Sequence, residues 1–416
     1  MSKLKPYIAL LLIVAIAAGA AGCAGAKAAD LMGRVPHNRV DGKDADAAFA
    51  GSMADFSVEL FKKSASGDEN SLVSPLSVML ALAMTANGAG GETLSQMEAL
   101  LGGGIALDDL NEYLYSYAKG LPSGKKSKLS IANSIWFRDD ENRLRVDPGF
   151  LQKNADYYGA AAYKAPFDKQ TLKDINNWVS KNTDGMIDAI LNNISDTEVM
   201  YLINAIAFDA EWKEIYINTG VRPDVFTDVH GKGQKVDFMH SDEDLYLDDG
   251  MAVGFVKPYV GGYSFAALLP NEGVSIDAYI ESLTGARLLE TLSGAQSATV
   301  QASMPKFKYE YGIEMSGILA QLGMPDAFDQ GSADFSGMVA TATKALYISR
   351  VLHKAFISVD ERGTKAGAAT VVAMADGAAP MQKNVKTVRL DRPFVYAIID
   401  NATNLPIFIG AVMTVA

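Results

Sequence analysis

The chain has 416 residues, 37 Lys and Arg against 49 Asp and Glu, a formal charge of −12 and a single cysteine, Cys23. One cysteine rules out an intramolecular disulfide, and with four scattered histidines it leaves no zinc site of the usual Cys/His spacing. The acidic excess is spread along the whole chain and gives no footprint for nucleic acid, while 49% hydrophobic and 21% charged residues exclude a disordered or collagen-like polymer and allow a large core.

Residues Met1 to Pro6 carry Lys3 and Lys5, the run from Tyr7 to Ala18 is apolar, and Gly19-Ala20-Ala21-Gly22 precedes Cys23. A basic start, a short apolar run and a small-residue end read as a secretory signal over 1–22. A membrane-spanning helix is the poorer reading, because the strongly apolar part is shorter than the roughly 20 residues a bilayer requires. A cysteine after Ala20-Ala21-Gly22 resembles the bacterial lipobox, with Ala20 where Leu is usual, and implies lipidation at Cys23 and a membrane anchor through it. Residues 24–47 are polar and rich in Ala and Gly, so 23–47 is expected to be the lipidated cysteine and a flexible tether, spanning on the order of 27 Å as a coil.

Length alone allows two or three domains, but from residue 48 no linker, repeat or charge block marks a boundary, and one domain over 48–416 is expected. Phe49, Met53, Phe56 and Leu60 form one stripe of an amphipathic helix. Ser74 and Pro75 read as the cap and first turn of a buried helix that stops at Gly88. Further helices are expected at about 92–102, 107–119, 148–158, 171–181, 275–284 and 311–322. Strand-like runs lie at 129–137, 198–208, 252–258, 263–269, 297–308, 346–360, 394–400 and 407–415. Helices early and strands late argue for an α+β fold with large, mostly antiparallel sheets.

No hydrolase, metalloprotease or nucleotide-binding motif occurs in the sequence. His37 lies in the expected tether, His230 and His240 in polar stretches, and His353 in an apolar strand-like run, where it reads as a hydrogen-bonded core residue rather than a base. Lys125, Lys126 and Lys128 read as a solvated turn.

The informative stretch is Ile348 to Lys383. After a plain strand it becomes a run of small residues from Gly363 to Ala379, in which Thr364, Ala366, Ala368, Thr370, Val372 and Met374 share one face and the only charge before Asp376, Lys365, lies on the other. A linker has no need to keep charge off one face. A segment that slides into the middle of a sheet does, because an unpaired charge there would cost several kcal/mol.

These residues resemble those of the serpins, inhibitors of serine and cysteine proteases, and the resemblance runs through 48–416. Asn70-Ser71-Leu72-Val73-Ser74-Pro75-Leu76-Ser77 is similar to the family's early motif. Leu202-Ile203-Asn204-Ala205-Ile206 with Trp212, Val351-Leu352-His353-Lys354-Ala355, Arg392-Pro393-Phe394 and Phe408-Ile409-Gly410 resemble later ones in the family's order and spacing. The resemblance implies the serpin fold, with about eight or nine helices and an exposed reactive-centre loop. Gly363, Thr364, Lys365, Ala366, Gly367, Ala368, Ala369 and Thr370 would be its hinge. Ser74, Ser77, Asn204 and His353 would form the shutter beneath the main sheet, and Trp212 would lie at the breach. Lys365 stands where Glu is common and Gly367 where Ala is common.

The family's usual spacing puts the reactive bond at Gly377-Ala378, which suits an elastase-like or subtilisin-like protease. A spacing one residue shorter gives Asp376-Gly377. The resemblance implies a non-enzymatic, monomeric suicide substrate that needs no cofactor or metal, forms a covalent complex with a target serine protease and works outside the cell or at its surface. The alternative is a non-inhibitory serpin or surface-binding lipoprotein.

Overall fold

The computed structural model describes residues 27–65, 67–139, 144–341, 345–364 and 385–415. A two-residue strand, β1 (Ala29–Asp30), precedes α1 (Ala47–Ser64), β2 (Ser71–Val73), α2 (Pro75–Ala86), α3 (Gly91–Gly102) and α4 (Leu107–Gly120). All of α2 is buried, so it is apolar on every side, and Ser74 starts it by accepting a hydrogen bond from the Ser77 amide. Next come β3 (Ser127–Arg138), β4 (Arg145–Val146), α5 (Pro148–Tyr158), β5 (Ala161–Ala165) and α6 (Lys169–Asn182), the last opened by a capping box between Asp168 and Thr171.

From there strands dominate. They are β6 (Met200–Glu211), β7 (Val221–Thr227), β8 (Gly233–Asp248), β9 (Ala252–Pro258) and β10 (Tyr263–Pro270), then α7 (Ile276–Ser282) and α8 (Gly285–Ser293). After β11 (Gln296–Pro305), β12 (Phe307–Glu314), α9 (Ser316–Gln321) and β13 (Val339–Thr341), the chain enters β14 (Arg350–Val359) and the two-residue β15 (Gly363–Thr364). It ends in β16 (Val385–Arg389), β17 (Phe394–Asp400) and β18 (Pro406–Val412).

Two large sheets result. A seven-stranded mixed sheet has the order β1-β5-β3-β6-β15-β14-β12, and a nine-stranded sheet runs β16-β11-β8-β9-β10-β17-β18-β2 with β7 alongside β8. The main core lies between them: the Phe208 ring on β6 meets Tyr259, Tyr263 and Phe408 across the gap at 5.2, 5.3 and 6.2 Å. A second, smaller core fills the outer face of the seven-stranded sheet, where Ile175 and Val179 of α6 pack with Trp136, Tyr201 and Ile203. β6 is therefore covered on both faces, and its continuous apolar run follows from that burial.

Three readings of the sequence need correction. The helix expected over 311–322 is a strand to Glu314 and a helix only from Ser316, because Phe307, Tyr309, Tyr311 and Ile313 turn inward in strict alternation with Lys308, Glu310, Gly312 and Glu314. The single strand expected over 297–308 is two, divided at Lys306. The flexible tether is also replaced from Ala28 to Asp46 by a strap on the body. β1 pairs antiparallel with β5, and the Leu31 amide donates to the Ala162 carbonyl at 2.9 Å. Leu31, Met32 and Val35 pack against the core, His37 Nδ1 lies 2.8 Å from the Ala155 carbonyl, and Asn38 donates twice to Asp156. The reason is the open edge of β5, whose amides and carbonyls gain partners.

Asp156 is the strap's most concentrated anchor. Asp156→Ala is expected to cost about 1–2 kcal/mol of stability and to speed amide exchange selectively within 28–46. Hydrogen exchange read by peptide mass checks this, and unchanged exchange there would remove Asp156 from that role.

Candidate functional site

The seven-stranded sheet is closed along part of its middle and open at one end. β6 and β14 pair in parallel, Tyr201 to Ala207 against Arg350 to Phe356. Beyond Ala207 and Phe356 the two strands diverge, and β15 fills the opening: Gly363 and Thr364 pair antiparallel with Glu211 and Ala210 on one side, and Thr364 with Val359 on the other. β14, the turn Asp360-Glu361-Arg362 and β15 thus form a hairpin whose second arm, among the described residues, is Gly363 and Thr364. The Asp360 carboxylate accepts from the Arg362 and Gly363 amides at 2.8 and 3.3 Å and fixes the turn. Gly363 is required by close approach, since a Cβ there would lie 2.0 Å from the Ala210 carbonyl oxygen. Thr364 is buried and points into the core, its hydroxyl 2.5 Å from that of Tyr259.

The opening is lined by the segment that follows β6. Trp212 stacks on Tyr259 with ring centres 4.2 Å apart, and its indole N–H donates to the Asp360 carbonyl at 2.8 Å. The Trp212 amide donates to Arg362 and the Tyr216 amide to Glu361, at 2.8 and 2.9 Å. On the far side Lys306 pairs with Glu361 at 2.7 Å, and this bond holds the Glu361 carboxyl below its usual range.

Under the closed stretch runs a buried polar chain. The Ser74 amide donates to His353 Nε2 at 3.3 Å, so Nδ1 carries the imidazole proton and donates to Asn204 Oδ1. Asn204 donates in turn to Ser77 Oγ and to Asn133 Oδ1, both at 2.5 Å, and the Ser74 hydroxyl donates to the Ile407 carbonyl at 2.7 Å. The chain ties β14 and β6 to α2, β3 and β18. Burial holds the His353 imidazole down to about 3, so it is neutral, as acceptance from Ser74 requires.

Ser74, Ser77, Asn204 and His353 are therefore brought together, Trp212 stands at the opening, and Gly363 and Thr364 lie within the sheet. Lys365 to Thr370, Asp376, Gly377, Ala378 and Cys23 lie outside the described residues. Asn133 is the member of the cluster that sequence reading missed; its signal is a lone amide inside the strand Ser127–Arg138, with its donor spent on the Ser77 carbonyl at 3.0 Å. His240 bonds Ser303 and Arg222 on the other sheet, away from the polar chain. Lys126 and Lys128 are ion-paired with Glu211 and Asp184. Among the described residues, no three His, Cys, Asp or Glu side chains converge as a metal site, and no helix is long and apolar enough to cross a membrane.

Comparison with known proteins agrees with this geometry. The family model described as serpin (serine protease inhibitor) matches residues 51–415. An uncharacterized serpin-like protein of Thermococcus kodakarensis is 28% identical over 368 residues, covering 86% of this chain and 84% of that one. Serpin-Z2A of Triticum aestivum is 31% identical over 361 residues, covering 83% and 89%. Among solved structures, the thermophilic serpin tengpin in its native state is 55% identical, covers 94% of this chain and 100% of that one, and superposes with a TM-score of 0.89. Tengpin in its latent state covers 90% and 100% at 54% identity, with a lower TM-score of 0.79.

The neutral His353 gives the fold a pH dependence of definite sign. An unfolded histidine takes up its proton near pH 6.5. The buried one does so only near 3, so its contribution is whole above pH 6.5 and is lost as pH falls toward 3. At pH 5 the loss is about 2 kcal/mol. Urea unfolding at pH 7.5 and 5.0 should show this extra loss in the parent protein and not in His353→Gln; equal losses in both would refute it.

Proposed function

Because the chain belongs to the serpin family of protease inhibitors, we propose that it inhibits as a suicide substrate, by inserting its own loop between β6 and β14 after a protease has cleaved it. The observation that carries this reading is β15. The sheet already holds the first two residues of a strand at the head of a closed slot, and the sequence that follows has the alternation an inner strand needs.

The observed register can be continued, one residue down the loop for each residue back along β6. Ala366 then falls beside Phe208, Ala368 beside Ile206, Thr370 beside Asn204 and Met374 beside Met200. Even-numbered residues face the core, as Thr364 does, and Lys365 faces outward opposite Asp209. On the other side Thr370 meets His353, so its hydroxyl enters where Asn204 and His353 now bond directly. Insertion breaks one ladder, makes two, and buries Val372 and Met374 at roughly 1.5–3 kcal/mol each. The uninserted molecule is then a kinetically held state, and its greater likeness to the native than to the latent form of tengpin supports that reading. The chain supplies no catalytic group of its own: the protease forms the acyl bond, and the release of stored strain traps it.

The small residues around Gly377-Ala378 suit an elastase-like or subtilisin-like target, and cleavage at Asp376-Gly377 would instead mark an aspartate-specific one. Residues 1–22 act in this reading as a secretory signal and Cys23 as the lipid anchor that places the inhibitor at the cell surface. Cys23→Ser should move the protein from the membrane fraction to the soluble one; retention on the membrane would overturn the anchor.

Incubation with a panel of serine proteases should give a complex that survives SDS, and the mass of the released C-terminal peptide should identify the reactive bond. Ala368→Arg places a charge on the core-facing side of the inserting strand, so it should be cleaved at the same bond without complex, at least tenfold more often than the parent. Cleavage of the parent without complex by every protease would favour a non-inhibitory serpin.

A further inference from the structure

β9 carries a lysine that its surroundings do not call for. Lys257 is 2% exposed in an otherwise apolar strand, and its ammonium meets the Glu243 carboxylate of β8, itself 7% exposed, at 2.7 Å. An ion pair removed from water is seldom more stabilising than apolar side chains of the same volume, so packing alone does not account for this one. The ammonium also lies 4.3 Å from the ring centre of Tyr216 and 5.5 Å from that of Trp212. The Glu243 carboxylate accepts from Ser241 Oγ at 2.5 Å, and Ser241 Oγ lies 3.4 Å from the Tyr216 hydroxyl. Both rings are thus held by one charged centre, Trp212 by attraction to the cation and Tyr216 by attraction and a polar contact.

Trp212 and Tyr216 are also the residues whose N–H groups grip the Asp360, Glu361 and Arg362 carbonyls. That turn sets the register of Gly363 and Thr364 between β6 and β14. We propose that Lys257 is a positioning residue for loop insertion: paired with Glu243, it seats the ring of Trp212, whose indole and backbone N–H hold the hairpin turn, and the ring of Tyr216, whose backbone amide holds it, so that a cleaved loop enters the sheet already in register. The consequence for inhibition rests on the suicide-substrate reading above; the positioning of the turn does not. With the turn loosened, insertion starts later relative to hydrolysis of the acyl-enzyme, and more inhibitor is consumed as substrate.

Two variants test this in the full-length protein. Lys257→Met removes the cation, and the double variant Lys257→Met, Glu243→Met replaces the pair with apolar volume that keeps the thermal midpoint at or above the parent's. In both, amide exchange of the peptide spanning Asp360 to Thr364 should rise about fivefold or more, as should the moles of inhibitor consumed per mole of protease, with the association rate constant unchanged. A double variant with parental exchange and parental stoichiometry overturns the proposal. So does a lowered midpoint with both readouts unmoved, which would make the pair structural only. If the parent forms no covalent complex, the inhibitor reading fails while the exchange comparison still decides the role of Lys257.

Discussion

The parallel ladder between β6 and β14 is the contact on which the rest of this molecule turns. Parallel pairs slant their hydrogen bonds and are slightly weaker per residue than antiparallel ones. Here the parallel pair sits in the middle of the seven-stranded sheet, with β15 opening it at one end. The fold therefore contains a seam that the proposed insertion would replace by two antiparallel ladders. Helix α2 and the second sheet cover this part of the seven-stranded sheet on one face, and α6 covers it on the other.

Opening can be described as growth of a hairpin. β14, its turn and β15 already form one, and every further pair would add bonds on both sides of the new strand while removing one pair between β6 and β14. The costly step of a hairpin, closing the turn, is already taken in this structure. Asp360 closes the turn from inside, Trp212 and Tyr216 hold it from one side, and Lys306 holds it through Glu361 from the other. In the proposed insertion, what would remain is propagation.

Much of this was legible in the sequence, and the gaps have physical causes. Strands buried on both faces announce themselves: β6, β9, β10 and β17 lie where runs of apolar residues put them, because no side of them needs to be polar. β8 was missed over sixteen residues, since it is half solvated and its inward Phe238, Met239, Tyr246 and Leu247 are scattered among acidic residues. The strap was missed because its contacts with the body are mainly backbone and polar, and composition does not record where an amide finds its carbonyl. Ser74, Ser77, Asn204 and His353 could be named from family resemblance, and their convergence follows from the fold. Asn133, Tyr216 and Lys257 could not be named, because what makes them matter is a neighbour far away in the chain.

The choice of polar rather than apolar side chains under the seam also has a reason. An apolar cluster between β6 and β14 would pack well with the seam closed and would leave a misfit once a strand came between them, because cores tolerate little change in volume. A chain of hydrogen bonds has discrete partners that can be exchanged. In the closed state each donor is used: Ser74 N–H on His353, His353 Nδ1–H on Asn204, Asn204 on Ser77 and Asn133. The side-chain bond that joins β14 directly to β6 in this cluster is that between His353 and Asn204, and in the proposed insertion the continued β15 register would bring a single hydroxyl, that of Thr370, to the same place. A hydroxyl both donates and accepts, so it can receive from His353 and give to Asn204 Oδ1 without leaving a buried polar atom unpaired. In the proposed inserted state the Asn204 and His353 groups would thus still escape the 1–3 kcal/mol or so that an orphaned buried group costs, and the difference between the states would be left to the ladders and the loop's apolar face.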